Sequence, residues 1–124
     1  MQFSIIARII FFFVFVHVIQ AYKTTLLGDF ASICHIYVTD CNGEVLRDAG
    51  RKDCNQAKIF EWDEAPDIYC LHVYPITKPK DNRYIMVTKN DSCIDVCGDL
   101  IYGWKLTRIG MKPCNDPTSP QPCN

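Results

Sequence analysis

The 124-residue sequence contains no Gly-x-Ser-x-Gly elbow that would raise a serine as a nucleophile. Beyond residue 21 it has no apolar run of the roughly 17 to 25 residues needed to cross a bilayer, so no membrane anchor is expected. Closely spaced metal-ligand pairs are scarce. Cys93 and Cys97 are the one near pair, and His35 and His72 lie far from them and from each other, so neither a metal nor any other cofactor is expected. Charge of one sign is lacking too. Once the leader and its Arg8 are set aside, 12 basic residues face 14 acidic ones, and a mixed, slightly negative surface gives no general attraction for nucleic acid or anionic lipid. There is no internal repeat and no long linker.

What is present begins with the first 21 residues. Arg8 is the only charge, Ile9 to Ile19 is apolar and rich in Phe, Val and Ile, and Gln20-Ala21 offers a small residue for cleavage. This pattern predicts a secretory signal peptide over residues 1–21. Residues 22–124 are then expected to form one disulfide-stabilised domain with a Pro-rich C-terminal tail. All eight cysteines fall in that part: Cys34, Cys41, Cys54, Cys70, Cys93, Cys97, Cys114 and Cys123. An even count in a small exported chain predicts four bridges and no free thiol, because a domain of this size buries too little surface to dispense with them. The pairing stays open among 105 possibilities.

Alternation of apolar and polar residues dominates the rest. Ile33 to Thr39 reads as a strand running into Asp40-Cys41-Asn42-Gly43, where Asn-Gly suits a tight hairpin, with Glu44 to Arg47 as the return. Ala49 to Asp53 reads as a polar loop and Lys58 to Trp62 as a third strand. In the strand Asp67 to Tyr74, Ile68, Cys70, His72 and Tyr74 take one face and Tyr69, Leu71 and Val73 the other. Tyr84 to Thr88 and Leu100 to Ile109 are further strands. Between these last two, Asp91-Ser92 is expected to cap a short helix in which Cys93 and Cys97 share a face. The fold expected is therefore α+β, a small disulfide-rich domain of mainly antiparallel sheet with one or two short helices.

The chemical constellations are few. Glu61 to Asp67 is the densest carboxylate group and reads as a solvated loop. A ribonuclease would need a general base, a general acid and a cation at the phosphate, and His35, Glu61, Arg83 and His72 are the available parts. Glu61-Trp62 is similar to the glutamate-aromatic pair of fungal guanyl-specific ribonucleases, but those enzymes carry a further histidine late in the chain and here none follows His72. No catalytic residue is expected. Asn90-Asp91-Ser92 is an acceptor pattern for N-glycosylation at Asn90.

The short Phe-rich leader, eight cysteines in about 103 remaining residues and the lack of a coherent active site resemble the small secreted cysteine-rich effectors of plant-pathogenic fungi, avirulence proteins among them. Trp104-Lys105-Leu106-Thr107-Arg108 is similar to the Trp-Arg-apolar-Arg motif of the LARS avirulence family, and the resemblance implies a β-sheet packed by helices. Size, leader and cysteine number are also similar to secreted-in-xylem-type effectors that act with a partner effector. These resemblances imply a secreted virulence factor that is no enzyme, acts within or outside host cells by binding a host plant protein or a partner effector, and is open to recognition by plant immunity. A ribonuclease-like enzyme and a toxin or antimicrobial protein are the rival classes. Expected binding residues are Lys78, Lys80, Arg83, Trp62 and Arg108, with Tyr74 and Trp104 better suited to the core.

Overall fold

β-Branched and aromatic residues recur at period two in several stretches of the described chain, and strands form there. The computed structural model describes residues 21–110. In chain order the elements are β1 (Tyr22–Phe30), β2 (Ile33–Thr39), β3 (Val45–Asp53), β4 (Phe60–Ala65), β5 (Ile68–Pro75), β6 (Arg83–Thr88), β7 (Ser92–Asp99) and β8 (Gly103–Gly110). They form two four-stranded sheets, one ordered β4-β1-β7-β8 and the other β3-β2-β5-β6. The α+β expectation is overturned: the described residues are all β and contain no helix. A sheet packed by helices, implied by the LARS resemblance, is likewise not found among them; sheet packs on sheet. Residues 1–20 of the signal peptide expected over 1–21, and the tail with Cys114 and Cys123, lie outside the described residues.

The expected helix is strand β7. Ile94 and Val96 point inward while Cys93, Asp95 and Cys97 point to the other side, and β7 is buried along both faces. It pairs in parallel with β1 from Thr24↔Ser92 to Phe30↔Gly98 and antiparallel with β8 from Cys93↔Gly110 to Asp99↔Gly103. Two neighbouring strands satisfy the backbone of this segment on both sides, a gain that a short isolated helix with one possible cap cannot match. Four residues of strand span about 13 Å, so Cys93 and Cys97 cannot bond to each other; each is nonetheless disulfide-bonded.

Smaller departures share this cause. The expected loop from Ala49 to Asp53 is the second half of β3, admitted by a bulge at which Ile36 faces Gly50 and Tyr37 faces Asp48. Gly50 takes φ 74° there, and its N–H donates to Asp48 Oδ1 at 2.8 Å. Much of the expected acidic loop is edge strand β4. The Asn-Gly hairpin is present, with Gly43 at φ 83° and Asp40 Oδ1 accepting the N–H groups of Asn42 and Glu44.

Between the sheets, Leu26, Phe30, Ile94, Val96 and Trp104 meet Ile36, Val38, Tyr69, Leu71 and Val73, all buried. Phe30 and Trp104 pack edge to face with centroids 5.1 Å apart. Cys34 in β2 is bonded to Cys54 just past β3, with Cα atoms 6.0 Å apart. That crossing segment lies against β1, where Gly28 N–H donates to Gln56 O and Phe30 N–H to Cys54 O.

Candidate functional site

One tripeptide pattern occurs twice: His35-Ile36-Tyr37 in β2 and His72-Val73-Tyr74 in β5. In both, the middle residue is buried and its neighbours face outward. Antiparallel pairing sets His35 opposite Tyr74 and Tyr37 opposite His72, so each histidine meets the tyrosine of the other strand. His35 stacks on Tyr74 with centroids 5.2 Å apart, and Tyr37 on His72 at 4.5 Å. Tyr37 and Tyr74 meet edge to face at 6.2 Å. The next strand extends the row, since Tyr84 of β6 faces His72 and Met86 faces Cys70. Tyr84 and Met86 are 63% and 58% exposed, which makes the outer face of this sheet an aromatic platform with an open edge.

Polar groups hold the platform in place. His35 Nε2 lies 2.7 Å from Asp48 Oδ1. The Gly50 N–H and then His35 hold the Asp48 carboxyl below its usual range. His72 Nε2 and Thr39 Oγ1 are 2.9 Å apart, and Asn82 Nδ2 donates to the Tyr37 hydroxyl. Burial lowers the His72 pKa, with Asn82 acting in the opposite sense, so the ring is neutral at pH 7 and offers a flat face for stacking. Arg51 of β3 faces His35 in register and supplies a cation at the rim.

The residues expected to bind lie apart from this platform. Arg83 begins β6 and turns toward the other sheet: its guanidinium sits 4.3 Å from the Trp104 ring centroid, Nη1 donates to Trp104 O, and Nε lies 3.0 Å from Asp81 Oδ1. Trp104 Nε1 donates to Asp81 Oδ2 at 2.7 Å. These contacts close the sandwich where β6 meets β8. Lys78 is exposed and its Nζ donates to Leu100 O, while Lys80 is exposed. Trp62 is half-buried, edge to face with Tyr69 at 6.0 Å. At the seam between edge strands β3 and β4 it lines a cleft of about 300 Å³ with Arg47, Glu61, Asp63 and Glu64. Arg108 donates to Asp91 O and lies near Tyr69, whose hydroxyl pKa is raised by burial. Asn90, the glycosylation candidate, is half-buried in the turn before β7 with Nδ2 donating to Thr88 O.

Of the ribonuclease parts, His35 and His72 come together on the platform, whereas Glu61 lies in β4 of the other sheet, ion-paired with Lys23 at 3.2 Å and Lys58 at 3.4 Å. No group of three or more His, Cys, Asp and Glu able to hold a metal occurs among the described residues. No helix among them is long and apolar enough to cross a membrane. The platform itself was accessible to sequence reasoning only through the doubled His-apolar-Tyr pattern, which gains meaning once the register is known. The sequence matches no protein-family model, no characterised protein and no solved structure.

Proposed function

We propose that the protein is exported and acts as a virulence effector, binding a host plant protein or a partner effector through the outer face of the β3-β2-β5-β6 sheet and open to recognition as an avirulence protein. The observation that carries the reading is the platform of Tyr37, Tyr74, Tyr84, His35, His72 and Met86. Tyr, Met and Arg are enriched where proteins meet, and rigid stacked rings lose little entropy on docking. The leader and the cysteine number support export. The exposed pair Tyr84 and Met86 is the place to test it. Replacing both by Ala should lower the activity scored on plants by about tenfold or more, the effect of losing a central aromatic contact. Secretion and thermal stability should stay as they are, since exposed substitutions usually cost within about 0.5 kcal/mol. A double variant that is secreted and fully active would refute the assignment of this face.

A second reading has one observation in its favour. The two histidines share one sheet face, His35 is oriented by Asp48 and Arg51 stands beside it, an arrangement able to supply acid, base and phosphate contact. The binding reading predicts that purified protein cleaves RNA no faster than a mock preparation. Cleavage that falls a hundredfold or more in His35→Ala would replace it with the enzyme.

A further inference from the structure

Cys41 and Cys70 are the two thiols among the described residues; Cys34 and Cys54 are joined, and Cys93 and Cys97 are disulfide-bonded. Their placement is specific. Cys70 faces outward from β5 in register with Thr39, the last residue of β2, and Cys41 follows Thr39 by two residues in the exposed turn that leads to β3. The turn leaves Cys41 two residues beyond the Thr39–Cys70 pair, at the same end of the sheet as Cys70. A disulfide needs Cα atoms about 4.4 to 6.8 Å apart. Cys41 lies in the exposed turn at residues 41–43, and movement of such a turn can bring it within that range of Cys70.

We propose that Cys41 and Cys70 form a further disulfide, tying the β2–β3 turn to β5 at one end of the aromatic platform, beside Thr39 and Met86. Burial raises the Cys70 thiol pKa, and a charge on Cys41 adds to the rise, so the two sulfurs sense each other. Cys41 is the exposed member and meets the oxidant first. Its thiolate attacks one sulfur of a disulfide oxidant, glutathione disulfide or an oxidase dithiol pair in its disulfide form, and expels one thiolate as the mixed disulfide forms. The Cys70 thiolate then attacks Cys41 Sγ and expels the second. Two protein thiols lose two protons and two electrons, and the oxidant becomes two thiols. Closure in the cell rests on the export reading, because a reducing compartment would hold the pair open.

The native full-length product is alkylated in denaturant without reductant, before and after incubation with glutathione disulfide, and then cleaved after Asp and Glu. Cleavage at Asp40 and Glu44 separates residues 41–44 from the Cys34 segment, and cleavage at Asp67 and Asp81 releases residues 68–81 with Cys70. The expected result is a linked pair of these two peptides, about 2 Da lighter than the sum of the reduced peptides, with neither cysteine alkylated. In Cys41→Ser, the same treatment should alkylate Cys70. Thiols open on isolation but linked after glutathione disulfide would count against export while upholding the bridge. Both cysteines alkylated after that incubation, or either one linked to a different cysteine, would overturn the proposal.

Discussion

Gly28→Ala is expected to be among the most damaging single-methyl changes in the domain. A Cβ built on Gly28 falls 2.1 Å from the Cys54 carbonyl oxygen and 2.3 Å from Ile59 Cδ1. The oxygen is backbone, held by its bond from Phe30 N–H and by the Cys34–Cys54 bridge, so it cannot retreat without breaking the crossing segment's hold on β1. Overpacking of this kind costs about 3 kcal/mol, a large part of the 5 to 15 kcal/mol that stabilises a typical domain. The urea midpoint should fall accordingly, with the slope of the transition unchanged. Gly43→Ala is the control. Gly43 has φ 83° with nothing within 4 Å of its built Cβ, so only the left-handed backbone penalty of about 1 kcal/mol is expected. Equal losses from both would show that the crossing segment yields.

The second large effect concerns Asp95. It is 5% exposed in β7, and burial, with Asp29 of β1 adding to it and Lys105 of β8 opposing, pushes its carboxyl up to about 6. In the unfolded chain an aspartate titrates near 3.9, so between about pH 4 and pH 6 the folded protein holds the extra proton. Stability is therefore greatest below that window, falls as pH rises through it, and levels off above it, with a total loss of about 2 to 3 kcal/mol. Asp95→Asn removes the charge while keeping the shape. The variant should match the parent at pH 4 and exceed it by about that amount at pH 7.5, as measured by denaturant unfolding at each pH. A parallel pH dependence in the two proteins would show that other groups govern it.

Much of the strand content was legible from alternation alone. Ile33–Thr39, Ile68–Pro75 and Arg83–Thr88 stand close to where their period-two patterns placed them, and the Asn-Gly turn sits where its positive φ was needed. Each is a half-buried strand, in which one face must be apolar and the other must not. Strand β7 was not legible for the opposite reason. A strand buried on both faces loses its alternation, and its short run with Asp91-Ser92 ahead and cysteines four apart resembles a capped helical turn until β1 and β8 are set on either side. Strand β1 is not legible in the sequence, because Tyr22–Phe30 is held extended between antiparallel β4 and parallel β7, the latter about 70 residues later in the chain.

The candidate site divides in the same way. Sequence alone determined that Cys70, His72 and Tyr74 share a face, because neighbouring side chains along a strand alternate. Only the register of β2 against β5 decided that each histidine of the two His-apolar-Tyr segments stacks on the other's tyrosine, and that Cys70 stands opposite Thr39, two residues before Cys41. Tertiary packing likewise took Arg83 out of its loop and laid it on Trp104, where it closes the sandwich. Period and turn chemistry act over a few residues and are written into the chain locally. Strand pairing and sheet packing join residues tens of positions apart, and their outcome depends on which of many pairings satisfies the most backbone groups and buries the most apolar surface at once.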